Sequence, residues 1–295
     1  MSNIPADLPV NLANDLITGV TETSGVLQVC DGKPQTGYLQ EGYLKMTGEL
    51  KAASLDANQA RKGSDLVNAI VKVPVHTFSV VYRFPEELAS IDAEINGGLL
   101  AKALEKGKGA IAKAVDTVFV AGKDGFGDAV PDQVYAAQTT HNVVLDEGNW
   151  DDSLDALVRL LLAAGVTNAG QTVALLDMLA AYDISLERTA QGVKKNDVNI
   201  QGRFPLKTAQ AIANGHVKVA GTAYEGFLFD KDIAKVAIGT NIRYSRETTG
   251  NPDNLFDEDG KSVDLKGHRQ QAIVLDVPYS VGILDLSRVV ALKNA

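Results

Sequence analysis

The sequence predicts an α+β fold whose helices and strands interleave along the chain. One long helical pattern follows Phe84-Pro85, and strand-like runs stand before it and again toward the C-terminus. Helices and strands do not alternate regularly enough for a doubly wound sheet. With 295 residues, of which 45% are hydrophobic and 22% charged, the chain can bury one or two ordinary cores.

Residues 1–35 predict an arm. The apolar residues of its first part come in short steps that Pro5, Pro9 and Gly19 interrupt. Such a pattern does not predict a self-contained element. We therefore expect the arm to pack against another surface.

Residues 36–82 predict an extended hairpin. Two β-like runs, GYLQEGYLKMTGEL and NAIVKVPVHTFSVVYRF, flank the polar stretch KAASLDANQARKGSDL, which is typical of a hairpin with a mobile tip. Apolar residues of the hairpin lack enough local partners to bury them, namely Leu39, Leu44, Val71, Val73 and Val75. We predict that the hairpin lies over a neighbouring subunit.

A long helix is predicted from about Glu86 to Val120. Pro85 suits a first helical position, and glutamates suit the positive end of the helix dipole. Apolar residues recur at three- and four-residue steps: Leu88, Ile91, Ile95, Leu99, Ala103, Ile111, Val115 and Val118. The helix would be about 50 Å long. Glycines at positions 97, 98, 107 and 109 each cost up to about 1 kcal/mol, so we expect an apolar stripe to be held against a sheet of C-terminal strands.

A second α/β region is predicted from Trp150. DSLDALVRLLLAAG predicts a helix, QTVALLD a strand, and MLAAYDISLERTAQG a helix or turn. Strands and loops follow in AQAIANGHVKVAGTAY, EGFLFDKD and AKVAIGTNIRYSRE. After a polar loop over residues 248–266, QQAIVLDVPYSVGILDL predicts a long strand and SRVVAL a terminal one.

The glycine-rich and acidic motifs do not predict a cofactor or metal site. GKDGFG has the order GxxGxG after a helix, whereas the dinucleotide fingerprint is GxGxxG between a strand and a helix, so a helix C-cap and turn fits better. The acidic loop 253–264 fails the EF-hand order because Leu255 stands five positions before Gly260. We interpret this loop as solvated, with adventitious divalent binding as the alternative.

Catalytic signatures are equally sparse. His76, His141, His216 and His268 are scattered without an HExxH pattern, and we interpret His76 as a strand residue and the others as loop residues. Cys30 is the one cysteine, which excludes an intrachain disulfide, and we interpret it as a small buried or half-buried thiol. The sequence predicts no catalytic residue, no cofactor and no metal.

The charge balance limits the kinds of partner. The chain has 28 basic and 37 acidic residues, a net charge of −9, which is the wrong sign for gripping nucleic acid by neutralising phosphates. A shell that merely encloses DNA, without gripping it, would tolerate this negative net charge. No run of about eighteen apolar residues predicts a membrane span, and the start shows no secretory signal, so we expect a cytoplasm-like compartment.

The order of elements resembles the major capsid protein of tailed bacteriophages, whose Hong-Kong-ninety-seven-type fold is shared with encapsulins. GYLQEG is similar to the aromatic-x-x-Glu-Gly start of the family's hairpin, and the segment from Phe84 to Gly127 to its spine helix with a Gly-Asp-Gly-type ending. NWDDSLDALVRLL resembles the first axial helix, GFLFDKDIAKVAIGTNIRYSRE the strand path to a Ser-Arg-Glu peripheral loop, and GILDLSRVVALKN the closing strand. The resemblance covers residues 36–294.

The resemblance implies a domain division and a function. It implies an N-terminal arm (1–35), an extended hairpin loop (36–82), a peripheral domain with the spine helix (83–130 and 236–284) and an axial domain (131–235 and 285–295). It implies a structural subunit, not an enzyme, that self-assembles as hexamers and pentamers into an icosahedral head. The head would enclose double-stranded DNA without sequence-specific binding and without a membrane. Portal, scaffolding and decoration proteins would be partners in a virion made in the host bacterial cytoplasm.

Candidate intersubunit contacts follow from the same resemblance. They are Lys45, Lys51, Arg61 and Lys62 in the hairpin, and Arg246, Glu247, Asn251, Asn254, Asp257 and Asp259 in the peripheral loop. The hairpin tip is basic and the loop acidic, which would favour their approach between subunits. Some family members join the two by a Lys-Asn isopeptide bond, and both residue types are present here, although no single aligned lysine can be selected. The capsid-like pattern starts close to Met1, which implies a separate scaffolding protein or none.

Two other functions are compatible with the sequence. An encapsulin-type shell around an enzyme cargo would use the same fold, and the particle's contents would distinguish it. A soluble α+β enzyme with an unrecognised site would instead be a stable monomer with a ligand pocket.

Overall fold

A computed structural model of the chain describes residues 6–30, 33–35, 40–47, 67–88, 98–144, 150–166, 172–186, 210–218, 224–247, 257 and 261–293. The strands are β1 (Ala6–Asp7), β2 (Lys33–Gln35), β3 (Gln40–Thr47), β4 (Val67–Pro74), β5 (His76–Pro85), β6 (Asn142–Val144), β7 (Thr172–Asp177), β8 (Gln210–Asn214), β9 (Tyr224–Asp230), β10 (Ala234–Gly239), β11 (Arg243–Glu247), β12 (Gln270–Ile283) and β13 (Val289–Lys293). The helices are α1 (Val10–Thr23), α2 (Gly25–Val29), α3 (Gly98–Ala121), α4 (Trp150–Ala163) and α5 (Met178–Leu186).

The longest described strand, β12, organises the larger sheet, here called the β12 sheet. β5, β10 and β11 all pair with it in antiparallel register, and β5 does so from Gln270↔Pro85 to Tyr279↔His76. β1 and β2 extend the sheet beyond β11 and β10. Alternate residues of β12 are buried on the face toward α3: Ile273, Leu275, Val277, Tyr279, Val281 and Ile283.

The second sheet, here called the β13 sheet, has the strand order β6-β13-β9-β7-β8. Because side chains alternate along a strand, its two faces belong to different cores. Val173 and Leu175 of β7 enter the core shared with α2 and α3, while Ala174 and Leu176 pack with α4 and α5. The sheet is therefore buried on both faces, which explains the continuous apolar runs of its strands.

The long helix was predicted correctly over its described part. α3 has 24 residues, about 36 Å at the usual rise. The stripe is confirmed within α3, where Leu99, Ala103, Ile111, Val115 and Val118 are buried, but Leu88 is 42% exposed. A Cβ at Gly107 would lie 3.3 Å from Leu275 Cδ1, so the glycine permits close approach of helix and sheet. Residues 86–88 are helical, and residues 89–97, which include Ile95 and Gly97, lie outside the described residues.

The N-terminal segment differs from its prediction. Val10–Thr23 is a regular helix that starts directly after Pro9, with Ala13, Leu16 and Val20 buried. It packs on α3 of the same chain. Burial of one apolar face outweighs the weak local propensity of the segment, and most helical stability in proteins comes from such packing.

The C-terminal predictions are confirmed where the structure describes them. α4, β7 and α5 occupy the predicted segments, and β9 to β13 follow in order. Within the polar loop 248–266, Val263 and Leu265 are buried against Ala272. That part of the loop is anchored to the β12 sheet.

Candidate assembly surfaces

The predicted hairpin is formed by β3 and β4. They pair antiparallel from Gln40↔Pro74 to Thr47↔Val67. Residues 48–66 lie outside the described residues, and with them Lys51, Arg61 and Lys62. The hairpin is a two-stranded ribbon, and an isolated ribbon of this kind is only marginally stable in water.

The inner side of the hairpin base is bound to its own chain. Lys45 Nζ lies 3.1 Å from Asp285 Oδ2 and donates to the Leu284 carbonyl at 3.2 Å. Val73 packs on β12 so closely that a Cβ at Gly282 would lie 2.9 Å from its methyl carbon. These contacts hold the hairpin base against the junction between β12 and β13.

Asp285 links the hairpin base to the turn that follows β12. Its Oδ1 accepts hydrogen bonds from the Ser287 amide at 3.1 Å and the Ser287 hydroxyl at 2.7 Å. Burial acts to raise the pKa of Asp285, but the hydrogen bonds from Ser287 and Lys45 outweigh it, so the pKa lies below its usual value. The carboxylate is therefore held in its charged form.

The outer side of the hairpin presents apolar side chains to solvent. Leu44 and Ile70 are direct cross-strand partners, and their exposed fractions are 62% and 72%. Lys72, opposite Gly42, is exposed beside them. We call Leu44, Ile70 and Lys72 the hairpin ridge. Exposed adjacent apolar side chains of this kind are characteristic of interaction surfaces.

A buried carboxylate joins three distant segments. Asp116 of α3 is fully buried, and its Oδ1 accepts from the Ser24 hydroxyl at 2.6 Å and the Val26 amide at 3.1 Å. Its Oδ2 accepts from the Gly25 amide at 3.2 Å and contacts His216 Nδ1 at 2.8 Å. The tautomer of His216 that carries its proton on Nδ1 can donate to this carboxylate oxygen. Asp116 thus caps α2 and ties it to the turn after β8.

Sequence reasoning missed this carboxylate network. The available signal was the position of Asp116 inside the apolar run AKAVDTVFVA, where a charged residue must find buried partners. His216 was interpreted as a loop residue, and it does lie in a turn, but its ring is used structurally.

The glycine motif after α3 is a helix end, as predicted. Gly122 has φ +65° and its amide donates to the Val118 carbonyl at 2.9 Å. Asp124 Oδ1 then accepts from the amides of Phe126 and Asp128, both at 2.9 Å. These hydrogen bonds to the Asp124 side chain hold the loop in its turn conformation.

Two ion pairs with a buried acidic partner stabilise the β13 sheet. Arg288 lies in the turn that precedes β13, and its Nη1 donates to the buried carboxylate of Asp230, at the end of β9, at 3.0 Å. Lys218 Nζ lies 2.9 Å from the buried Glu225, and that hydrogen bond and charge raise the pKa of Lys218. The first pair joins residues 58 positions apart in the sequence, and the second joins residues seven positions apart.

The predicted contact residues are placed as follows. Lys45 is engaged with Asp285 of its own chain. Arg246 and Glu247 are the last residues of β11, and Asp257 exchanges hydrogen bonds with Lys261. Asn251, Asn254 and Asp259 lie outside the described residues. A role for any of them between subunits stays a prediction.

The other histidines and the cysteine were also considered as candidate catalytic or metal-binding residues. His76 lies in β5, as predicted, while His141 and His268 lie outside strands and helices, and Cys30 is buried. Among the described residues, no three His, Cys, Asp or Glu side chains are grouped to hold a metal ion. No described helix is long and apolar enough to span a membrane.

Solved structures match nearly the whole chain. A chain from Mycobacterium phage Ogopogo has 21% sequence identity and a TM-score of 0.69, with 92% of both chains covered. One from Gordonia phage Cozz has 19% identity and a TM-score of 0.68, covering 92% of this chain and 87% of the other. The capsid of an empty GTA particle matches with 13% identity and a TM-score of 0.62, covering 100% of this chain and 94% of the other. No protein-family model and no curated protein sequence matches.

These matches confirm the predicted fold. The chain has the α+β fold of the GTA capsid subunit and of the phage chains, along almost its full length.

Proposed function

We propose that this protein is the major capsid protein of a tailed phage, a structural subunit that self-assembles into an icosahedral head around the genome. One observation carries the proposal: the chain shares its fold with the capsid subunit of an empty GTA particle, with 100% of this chain and 94% of the other covered.

The structure of the hairpin is a second, independent argument for self-assembly. Its base is bound to its own chain, while the ridge on its other side exposes Leu44 and Ile70. A neighbouring subunit that covers the ridge would complete its burial, and each chain would in turn cover the next.

The proposed domain division is supported by the two sheets. The described strands of the β13 sheet all lie in residues 131–235 and 285–295, the proposed axial domain. β10, β11 and β12 lie in or at the edge of residues 236–284, part of the proposed peripheral domain. β5 pairs with β12 but lies mostly within the proposed hairpin, and only its residues 83–85 fall in the peripheral segment 83–130. The chain therefore crosses between the proposed domains before β10 and again after β12.

The proposed partners are other copies of this chain, arranged as hexamers and pentamers, with portal, scaffolding and decoration proteins in the virion. The lumen would hold double-stranded DNA without sequence-specific contacts, in keeping with the net charge of −9. We propose no enzymatic role, because the acidic side chains that are buried in the described part of the chain are each committed to structural hydrogen bonds, namely Asp116, Asp177, Glu225 and Asp230.

Electron microscopy of the purified protein tests this proposal. Expression alone, and with a phage scaffolding protein, should give closed shells of uniform size with pentameric and hexameric units. A persistent monomer in both cases would contradict the proposal. Shells that contain an enzyme cargo instead of DNA when isolated from the native source would indicate a nanocompartment.

A further inference from the structure

The Asp116 carboxylate lies where three proposed parts of the chain meet. Asp116 belongs to α3 in the proposed peripheral domain and is completely buried. From the proposed N-terminal arm it accepts hydrogen bonds from the Ser24 hydroxyl and from the amides of Gly25 and Val26. Its Oδ2 also lies 2.8 Å from His216 Nδ1, in the proposed axial domain. We call Asp116, Ser24 and His216 the Asp116 junction.

The packing around the Asp116 junction is apolar. The ring of Phe119 on α3 contacts that of Phe229 on β9, with centroids 5.2 Å apart. α2 packs on α3, β7 and β8. Apolar contact is non-directional, whereas a hydrogen bond needs a particular distance and angle. A satisfied buried polar network can therefore fix one arrangement of elements that apolar packing alone would leave free to shift.

The His216 contact can be removed without removing the cap of α2. The His216 side chain is 24% exposed and lies in the turn after β8. Without its ring, Asp116 would keep its hydrogen bonds from Ser24, Gly25 and Val26. The contact of Asp116 with the proposed axial domain would be lost. A substitution of His216 thus separates the orientation of that domain from the folding of the N-terminal segment.

We infer that the Asp116–His216 contact fixes the orientation of the proposed axial domain relative to the proposed peripheral domain, and that this orientation sets the curvature of the shell. This rests on the proposed function and deepens it by naming a device that controls shell geometry. In a symmetric assembly every copy carries the same orientation, so a small change within one subunit is repeated at each contact that must close the shell.

The sizes of assembled shells test the inference. His216→Met removes the contact and should give a distribution of shell diameters, measured by electron microscopy, at least about twofold broader than that of the unmodified chain. His216→Gln carries a side-chain amide that can donate to the carboxylate, so it should restore the narrow distribution.

The matched control is Lys218→Met, two positions along in the same turn. Lys218 pairs with the buried Glu225, and both residues lie in the proposed axial domain. This variant removes a partner from a buried carboxylate without touching the Asp116 junction, so its shells should keep a narrow distribution of diameters. Shells of uniform diameter from His216→Met would overturn the inference. So would equal broadening by Lys218→Met.

A second measurement needs no assembly. Spin labels are placed on the unassembled subunit through Lys106→Cys on α3 and Leu179→Cys on α5, both at exposed positions, while the native Cys30 is only 3% exposed. The distribution of distances between the labels should broaden at least about twofold when His216→Met is added, but not when Lys218→Met is added.

The two measurements separate failure of the inference from failure of the proposed function. An unchanged distribution of label distances in His216→Met would overturn the inference. An unfolded His216→Met subunit, detected by circular dichroism, would also overturn it, because the contact would then be needed for folding as a whole. Absence of any shell from the unmodified chain would instead remove the proposed function.

Discussion

The Asp116 carboxylate lies 2.8 Å from the ring nitrogen of His216, one hundred positions further along the chain. The same carboxylate caps α2 through Ser24 and Val26. One buried side chain therefore holds together the N-terminal segment, the long helix and the β13 sheet. Removing it should affect the whole subunit.

We predict that Asp116→Asn lowers the free energy of unfolding by about 2 to 4 kcal/mol. The amide nitrogen would face donors, and each buried donor left without an acceptor costs about 1–3 kcal/mol. Urea unfolding of the subunit measures the effect. Asp15→Asn, which removes an exposed ion pair with Lys108, is the control and should cost less than about 1 kcal/mol. Equal effects of the two substitutions would contradict the structural role of Asp116.

The Asp285 contact should make the hairpin base sensitive to acid. The pKa of Asp285 is lower in the folded chain than in the unfolded chain, where it is about 3.9. The stability that the charged form of Asp285 contributes is therefore present above the unfolded pKa and is lost as the pH falls through the lower folded pKa. The difference in unfolding free energy between the unmodified chain and Asp285→Asn should be constant above about pH 5 and shrink below about pH 4.

A double-mutant cycle separates the contribution of Lys45 to that contact. In the Lys45→Met background, Asp285→Asn should have a smaller effect, because the ammonium at 3.1 Å is gone. Full additivity of the two substitutions would indicate that Ser287 alone accounts for the interaction.

Two glycines at α3 should respond oppositely to alanine. Gly122→Ala should destabilise by more than about 1 kcal/mol, because φ is +65° and the new Cβ would overlap the Tyr135 ring. Gly109→Ala should stabilise by up to about 1 kcal/mol, because it is helical and its Cβ would meet nothing within 4 Å. Thermal unfolding of both variants checks the pair. A destabilised Gly109→Ala would indicate that this face of α3 is more crowded than the structure shows.

The opposite charges of the hairpin tip and the peripheral loop should act on assembly rate. Lys51→Glu combined with Lys62→Glu should slow assembly, measured by light scattering, and should weaken its dependence on salt. At 1 M salt the Debye screening length falls to about 3 Å, so the attraction between these charges is largely removed. Exposed ion pairs contribute only about 0–1 kcal/mol each, so finished shells should stay largely intact. An unchanged rate with the same salt dependence would exclude guidance by these charges.

The element order could be predicted because its signals are local. The three- and four-residue spacing of apolar residues marked α3 and α4, and continuous apolar runs marked β7, β9 and β13. α1 could not be predicted in the same way, since its apolar face becomes helical by packing on α3. The hairpin's flanking strands were visible, but its attachment through Lys45 to Asp285 was not.

The sequence by itself determined most of the described helices and strands after residue 35, which residues are apolar enough for a core, and that the charge does not suit nucleic-acid binding. Only the tertiary structure decided that Asp116 meets His216, that the hairpin base rests on Gly282, and that a groove opens beside β5. The reason is physical: periodicity and propensity act within a few residues, whereas these contacts join segments that only the path of the folded chain brings together.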